Sequence, residues 1–444
     1  MSTQSHTRQL LVNADIEGRG QGWVAIDGQR IAATGMGEAP EEWQRDARVT
    51  DLGGDLLMPG AIDVHVHFRD PGLTHKADFA TESRAAVAGG VTSVVDMPNT
   101  VPQTTTVELL RQKAEMAAGK SVANYGFFIG ATNDNLAELQ AVDPSTVAGV
   151  KLFVGSSTGN MLVDDADALD HLFATVKMPI SVHAEDEAVI ARCKTEAIAR
   201  YGSADKVPVA EHSNIRPVEA CVRATERVLR LAERHGAHVH IAHLTTAREV
   251  EMVAEARRGG ARVTCEVSPH HLTFCTDDYE RLGTRIKMNP AVKSADDREV
   301  LRKALAVGTI DMVATDHAPH LLKEKEGGAL TAVSGAPMVQ FSLPVVLSLF
   351  GPEVAAEKMS HRPAEVFGIR DRGRIEPGCY ADLVRVRRLA EPHTVADAEV
   401  VSKCGWTPLA GTRLDYAVVT TWVNGRVYEP GAGPGSAMAL EFSH

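Results

Sequence analysis

No two cysteines of this chain form a C-x-x-C pair; its six, Cys193, Cys221, Cys265, Cys275, Cys379 and Cys404, are scattered over 444 residues. That spacing argues against a disulfide framework or a structural zinc knuckle and suits reduced thiols. No stretch approaches the run of about 18 apolar residues that a membrane helix needs. The first ten residues, Met1 to Leu10, lack the apolar core of a signal peptide, so the expected compartment is the cytoplasm. Surplus positive charge is missing as well. The 46 Lys+Arg against 58 Asp+Glu give a formal net charge of −12, which argues against nucleic acid as a partner. An anionic substrate would need a local cation to offset that field. Internal repeats and low-complexity tracts are absent. What is present is ordinary for a soluble globular chain, 44% hydrophobic and 23% charged, with length for one large domain plus a small one.

Two kinds of organisation alternate along the chain. Residues 8–57 read as short β segments with turns, at Arg8 to Val12, Gly22 to Ile26, Gln29 to Thr34 and Val49 to Leu52, and Pro59-Gly60 marks their exit. From residue 60 the pattern becomes strand, helix, strand, helix. Strands are expected at 61–67, 91–97, 123–130, 148–154, 179–184, 238–244, 262–267 and 311–316. The clearest helix is 217–235, with Pro217 suited to the first turn and Gly236 to the stop. Eight β/α alternations predict a (β/α)₈ TIM barrel. A doubly wound sheet is the alternative, but it does not usually gather ligand types from both its first and last strands. After about residue 370 β character returns, at Gly373 to Ile375, Ala381 to Val386, Ala417 to Thr421 and Arg426 to Tyr428. The expected division is therefore a small β-sandwich domain from both chain ends, 1–57 and 371–444, and a barrel over 58–370. The last fifteen or so residues, rich in Gly and Pro, read as a loose tail or an arm onto a neighbour.

Chemistry in such a barrel sits at the C-terminal ends of the strands. Strand one offers His65 and His67, which alternation places on one face, and then Arg69. Strand two offers Asp96 and Asn99, strand four Lys151, strand five His183, strand six His243 and strand eight Asp316. A single strand histidine is more often a satisfied core residue, and a lysine between Val150 and Leu152 is by itself more often a structural ion pair. Together, at the strand ends of one barrel, four histidines and an aspartate read as a metal site. A neutral lysine amine can add carbon dioxide to become a carbamate, an anion able to bridge two divalent ions. His238 and His240 fall on the opposite strand face from His243 and read as structural. His270 and His271 end strand seven, and one of them is a candidate support for the ligands. His75 lies in a polar loop and reads as solvated.

The set His65-x-His67, Lys151, His183, His243, Asp316 resembles the binuclear cyclic-amidohydrolase branch of the amidohydrolase superfamily. Within that branch four motifs resemble the dihydroorotases: His67-Phe68-Arg69-Asp70-Pro71-Gly72, Met97-Pro98-Asn99-Thr100, Lys287-Met288-Asn289-Pro290 and Asp316-His317-Ala318-Pro319-His320. The resemblance runs from about residue 8 to residue 428. It implies two Zn²⁺ ions per chain, one held by His65, His67 and Asp316 and the other by His183 and His243, with Lys151 carboxylated by CO₂ as the bridge. It further implies that Arg69, Asn99 and His320 grip a substrate carboxylate and that Asn289 helps hold the ring. Arginine suits a carboxylate and meets the need for a local cation. Hydantoinases and allantoinases, by the same resemblance, share the metal set but lack an arginine at that place. One departure is Gln340, in Ser334-Gly335-Ala336-Pro337-Met338-Val339-Gln340, where an acidic residue is commoner; it bears on ring specificity.

The expected reaction is reversible hydrolysis of L-dihydroorotate to N-carbamoyl-L-aspartate in pyrimidine biosynthesis. A hydroxide bridging the metals would attack the ring amide, with Asp316 as catalytic proton shuttle. As partners the resemblance implies a small anionic substrate (dihydroorotate or N-carbamoyl-aspartate), a homodimer or homotetramer, and association with aspartate transcarbamoylase. Two rivals remain: another cyclic amidase, allantoinase or hydantoinase, from which Arg69 discriminates, and a non-catalytic scaffold of the same fold, which typically loses metal ligands. The segment Leu321 to Gly335 is expected to be mobile over the mouth.

Overall fold

The computed structural model describes residues 8–155, 161–431, 433 and 435–444. Five strands come from the N-terminal part: β1 (Arg8–Ile16), β2 (Gln21–Asp27), β3 (Arg30–Met36), β4 (Ala47–Asp51) and β5 (Leu56–Pro59). Eight follow in alternation with helices: β6 (Ala61–Val66), β7 (Val91–Asp96), β8 (Asn124–Gly130), β9 (Gly149–Phe153), β10 (Ile180–His183), β11 (Val239–Ile241), β12 (Val263–Val267) and β13 (Met312–Val313). The last three are β14 (Leu383–Thr394), β15 (Arg413–Val423) and β16 (Arg426–Val427).

Strands β6 to β13 pair in chain order, every neighbour parallel. A parallel bridge from Val66 to His317, with the His67 amide donating to the His317 carbonyl at 2.8 Å, brings the last strand back to the first. This is the expected (β/α)₈ barrel. Its strands β6 to β10 are buried at every position, as parallel strands covered on both faces must be. The helices begin and end where their sequences direct. Asp78 accepts from the Thr81 amide and caps Phe79–Ala88, and Val218–His235 follows Pro217 and ends at Gly236 with φ +63°. Both chain ends meet in one sheet of order β16-β15-β14-β5-β1-β2-β3, with β4 beside β1.

Some expectations are corrected. Strands six and eight stop short of residues 244 and 316, because His243 (φ +37°) and Asp316 (φ +48°) adopt left-handed backbone that ends the extended run. Gly373 to Ile375 is not a strand; Gly373, at φ +80°, turns the chain there. The C-terminal residues are not a loose tail. Tyr125 donates to Met438 O (3.0 Å) and accepts from the Leu440 amide (2.8 Å). Phe442, 1% exposed, packs among Ile62, Val64, Phe128 and Phe367 inside the barrel. Gly126 makes room for it, since a Cβ there would lie 2.7 Å from the Phe442 ring. Residues 395–412 also leave the end sheet. Trp406, fully buried, donates from Nε1 to His320 O at 2.7 Å, so this stretch stands beside the barrel mouth.

Replacing a buried phenylalanine by alanine removes its transfer free energy and leaves a cavity. Phe442→Ala should therefore destabilise the protein by about 3–5 kcal/mol, read as a lower midpoint in urea unfolding; an unchanged midpoint would mean that the C-terminal segment only rests on the barrel.

Candidate active site

The strand ends open into a cavity of about 450 Å³ lined by His65, His67, Arg69, Asn99, Lys151, His183, His243, Asn289, Asp316 and His320. The ten ligand and substrate-contact residues that the resemblance implies thus face one space, whereas Asp96, also offered by strand two, pairs with Lys113 and does not line it. Lys76, Phe153, Lys287 and Ser334 line it as well.

His65, His67 and Asp316 bring one ligand atom each to within 4.8 Å of one another. Asp316 Oδ1 lies 3.1 Å from His67 Nε2 and 3.4 Å from His65 Nε2. Across the cavity His183 Nδ1 stands 2.9 Å from His243 Nε2, and the His65 and His243 rings are 5.3 Å apart. Burial lowers the pKa of His65 and lowers those of His67 and His243 far more. Neutral imidazoles are the form that binds a metal. Burial raises the pKa of Asp316, against the pull of His65 and Lys151.

Lys151 lines the same cavity, 1% exposed, and its Nζ has no hydrogen-bond partner among the described residues. Burial pulls its pKa down to about 8, opposed by Glu266 and Asp316. An ammonium so placed is costly, whereas a neutral amine there is open to carbamate formation. The donor set therefore suits divalent metal: three clustered ligands, a histidine pair lining the same cavity, and a buried lysine without a hydrogen-bond partner among the described residues.

Carboxylates that the sequence reading passed over hold the ligand rings. Glu266, on β12, accepts from His65 Nδ1 through Oε1 and lies 3.1 Å from His240 Nε2 through Oε2. It also accepts the His243 amide at 3.2 Å. Burial alone would raise the Glu266 pKa, but the two histidines hold it far below the carboxylate range. With Nδ1 engaged, His65 presents Nε2 to the cavity. Glu185 does the same for His183, 3.0 Å from its Nε2 and paired with Arg216, so Nδ1 faces inward. Asp63 accepts from the amides of His65 (3.2 Å) and Thr315 (3.0 Å) and ties strand one to strand eight. The available signal was an acidic residue inside a mostly apolar strand, Glu266 in Val263–Val267 and Asp63 in Ala61–Val66.

Other expectations resolve as follows. His240 is a fully buried support, linked to His65 through Glu266. His270 and His271 share Ser268 Oγ at 2.8 and 2.7 Å, and His271 reaches Pro290 O; neither is hydrogen-bonded to a ligand. Gln340 does not line the cavity; it joins Glu399 O and the Val401 amide at 2.8 Å each and so braces residues 399–401. In the segment Leu321 to Gly335, Lys325 is buried and donates to the carbonyls of Lys287, Val333 and Gly335 at 2.7–3.0 Å. That three-way anchor ties the start of the segment to its end and to Lys287.

Comparison with known proteins agrees with this geometry. A model of the amidohydrolase family matches residues 56–428. A dihydroorotase of Halobacterium salinarum is 39% identical, over 87% of this chain and 89% of its own. An allantoinase of Streptomyces avermitilis is 35% identical, over 92% of each chain. Among solved structures an L-hydantoinase (dihydropyrimidinase) from Arthrobacter aurescens superposes with a TM-score of 0.88 at 27% identity, over 97% of both chains.

Loss of a group that orients a metal ligand typically costs ten- to hundredfold in metal affinity. Glu266→Gln should weaken zinc binding by about that factor, measured by competition with a chromogenic chelator. Wild-type affinity in that variant would show that His65 is oriented by other means.

Proposed function

The chain belongs to the amidohydrolase family and is a cyclic amide hydrolase; from that premise we propose that its ring substrate carries a carboxylate and that it is L-dihydroorotate, opened reversibly to N-carbamoyl-L-aspartate. The observation that carries the reading is Arg69. Its guanidinium is buried in the cavity of the ligand set, with Nη2 3.0 Å from His320 Nε2 and Nε donating to Pro319 O at 3.2 Å. A buried cation beside a reaction centre needs an anion. A hydantoin or allantoin ring has no carboxylate to give it.

In this reading His65, His67 and Asp316 would hold one zinc ion and His183 and His243 another, and Lys151, once carboxylated, would offer them a further anionic ligand. When bound, the ions supply an activated water and polarise the ring carbonyl. The chain's own groups do the rest. Arg69, Asn99 and His320 take the substrate carboxylate and so fix which ring carbonyl faces the ligand set. The side-chain oxygens of Asn99 and Asn289 are buried without partners among the described residues, and each can accept a ring N–H. The water oxygen adds to the ring carbonyl carbon as its proton passes to Asp316. The C–N bond then breaks, and Asp316 returns the proton to the leaving ring nitrogen. Reversing the order closes the ring, the direction that pyrimidine synthesis requires. A scaffold without catalysis fits poorly, since all six ligand positions are filled.

The deciding assay runs L-dihydroorotate, hydantoin and allantoin side by side with zinc-loaded protein. Turnover of dihydroorotate alone is expected; turnover of a ring without a carboxylate would keep the metal chemistry and overturn the substrate. Asp316→Asn should lower kcat about a hundred- to ten-thousandfold, and retention of most activity would remove the shuttle role. Arg69→Ala should lower kcat/KM for dihydroorotate about ten- to hundredfold, the worth of one charged hydrogen bond. An unchanged value would leave the carboxylate without its clamp.

A further inference from the structure

The cavity holds a second cation that the reading above does not use. Lys76 comes from the loop between β6 and the helix Phe79–Ala88 and lines the space with Arg69 and His320. Its side chain is 12% exposed, and its Nζ lies 2.8 Å from Glu324 Oε1 and 3.2 Å from His320 Nδ1. The other nitrogen of the same ring faces Arg69 Nη2 at 3.0 Å. A neutral imidazole accepts at one nitrogen and a protonated one at neither. Two cationic donors thus converge on a ring that can satisfy at most one of them. Glu324 reaches only the Lys76 side, its other oxygen standing 3.7 Å from His320 Nδ1. A carboxylate offers two oxygens and about four lone-pair sites. One entering beside His320 supplies the acceptors that the ring lacks. The remaining lysine of the cavity, Lys287, already donates to the Ala332 carbonyl.

We propose that Lys76 is a specificity-determining residue, a second cation of the carboxylate clamp that faces Arg69 across the His320 ring and is held ready by Glu324. The inference rests on the dihydroorotate reading and deepens it. Glu324 can serve as the holding group because its turn, Leu322–Lys325, is fixed by Lys325 and its three carbonyl partners. A ring with a carboxylate shares or takes over the Lys76 ammonium. A ring without one leaves Lys76 on Glu324 and gains nothing from it, so the ion pair discriminates between the two.

The test compares wild-type, Lys76→Met and Lys76→Arg zinc-loaded protein in two readouts. One is the ratio of kcat/KM for L-dihydroorotate to that for 5,6-dihydrouracil, the same ring without the carboxylate. The other is calorimetric binding of orotate, a carboxylated ring that needs no turnover. In Lys76→Met both the ratio and the orotate affinity should fall about ten- to hundredfold. The loss should appear in KM rather than kcat, and Lys76→Arg should restore part of it. Equal losses for both rings, or unchanged orotate affinity beside a wild type that turns over dihydroorotate, would overturn the role of Lys76 and leave the function standing. A wild type that opens dihydrouracil but neither opens dihydroorotate nor binds orotate would overturn both.

Discussion

Glu266 is a carboxylate 1% exposed at the heart of the barrel, and a buried charge must be paired where it sits. Its partners are the His65 and His240 rings and the His243 amide. Because it is satisfied from three sides, it fixes the tautomer of one ligand and the backbone of another in a single step. Glu185 acts likewise on His183, with Arg216 balancing its charge. The ligand atoms that face the cavity are the ones these carboxylates leave over: Nε2 of His65 and Nδ1 of His183. The metal-facing geometry is thus the remainder of a buried electrostatic pairing problem, solved one shell further out.

The same requirement separates the buried lysines. Lys113 pairs with Asp96 at 2.6 Å and with Met97 O at 2.7 Å, at the end of the strand that leads to Asn99. Lys325 donates to three backbone carbonyls. These two are what a structural lysine looks like in this protein. Lys151 is as deeply buried and has no partner among the described residues. Its environment holds two carboxylates, Glu266 and Asp316, near enough to favour the charge without bonding it. The contrast within one chain weighs for a group added to Lys151 more than its position on β9 does.

Much of this was legible in the chain before any coordinates. Alternating strand and helix patterns located the barrel, and ligand residue types at strand ends located the mouth, because both follow from local periodicity. What stayed hidden depends on contacts remote in sequence. Val263–Val267 marks Glu266 as an acid in a mostly apolar strand, but not that it will meet rings from strands one and six. The Gly- and Pro-rich end read as loose, yet Leu440 and Phe442 enter the barrel through space that Gly126 leaves open. The segment Leu321 to Gly335 read as mobile, and its composition gave no sign that buried Lys325 would tie its start to its end and to Lys287. Gln340 stood out by departing from a pattern, and its side chain turned out to brace backbone away from the ring. Composition predicts local preference; it does not predict which long-range partner a polar group will find.

The strands themselves show how backbone and chemistry constrain each other. Periodicity extended strands six and eight through residues 244 and 316, but pairing stops at Ile241 and Val313, and His243 and Asp316 turn left-handed just beyond. With Arg69 at φ +65°, three residues of the cavity hold left-handed backbone that non-glycine side chains seldom adopt. In extended conformation, side chains stand roughly perpendicular to the strand and alternate in face. Leaving that conformation at the last residue lets a ligand lean over the barrel axis toward the one opposite. The strain persists because neighbours fix each site: Glu266 binds the His243 amide, Pro319 O accepts from Arg69 Nε, and Thr315, just before Asp316, is tied to Asp63 through amide and hydroxyl. A carboxylate or carbonyl from a different strand or loop supports each one. The site therefore depends on the barrel closing as a whole, and the short ends of β11 and β13 are the trace that this requirement leaves in the secondary structure.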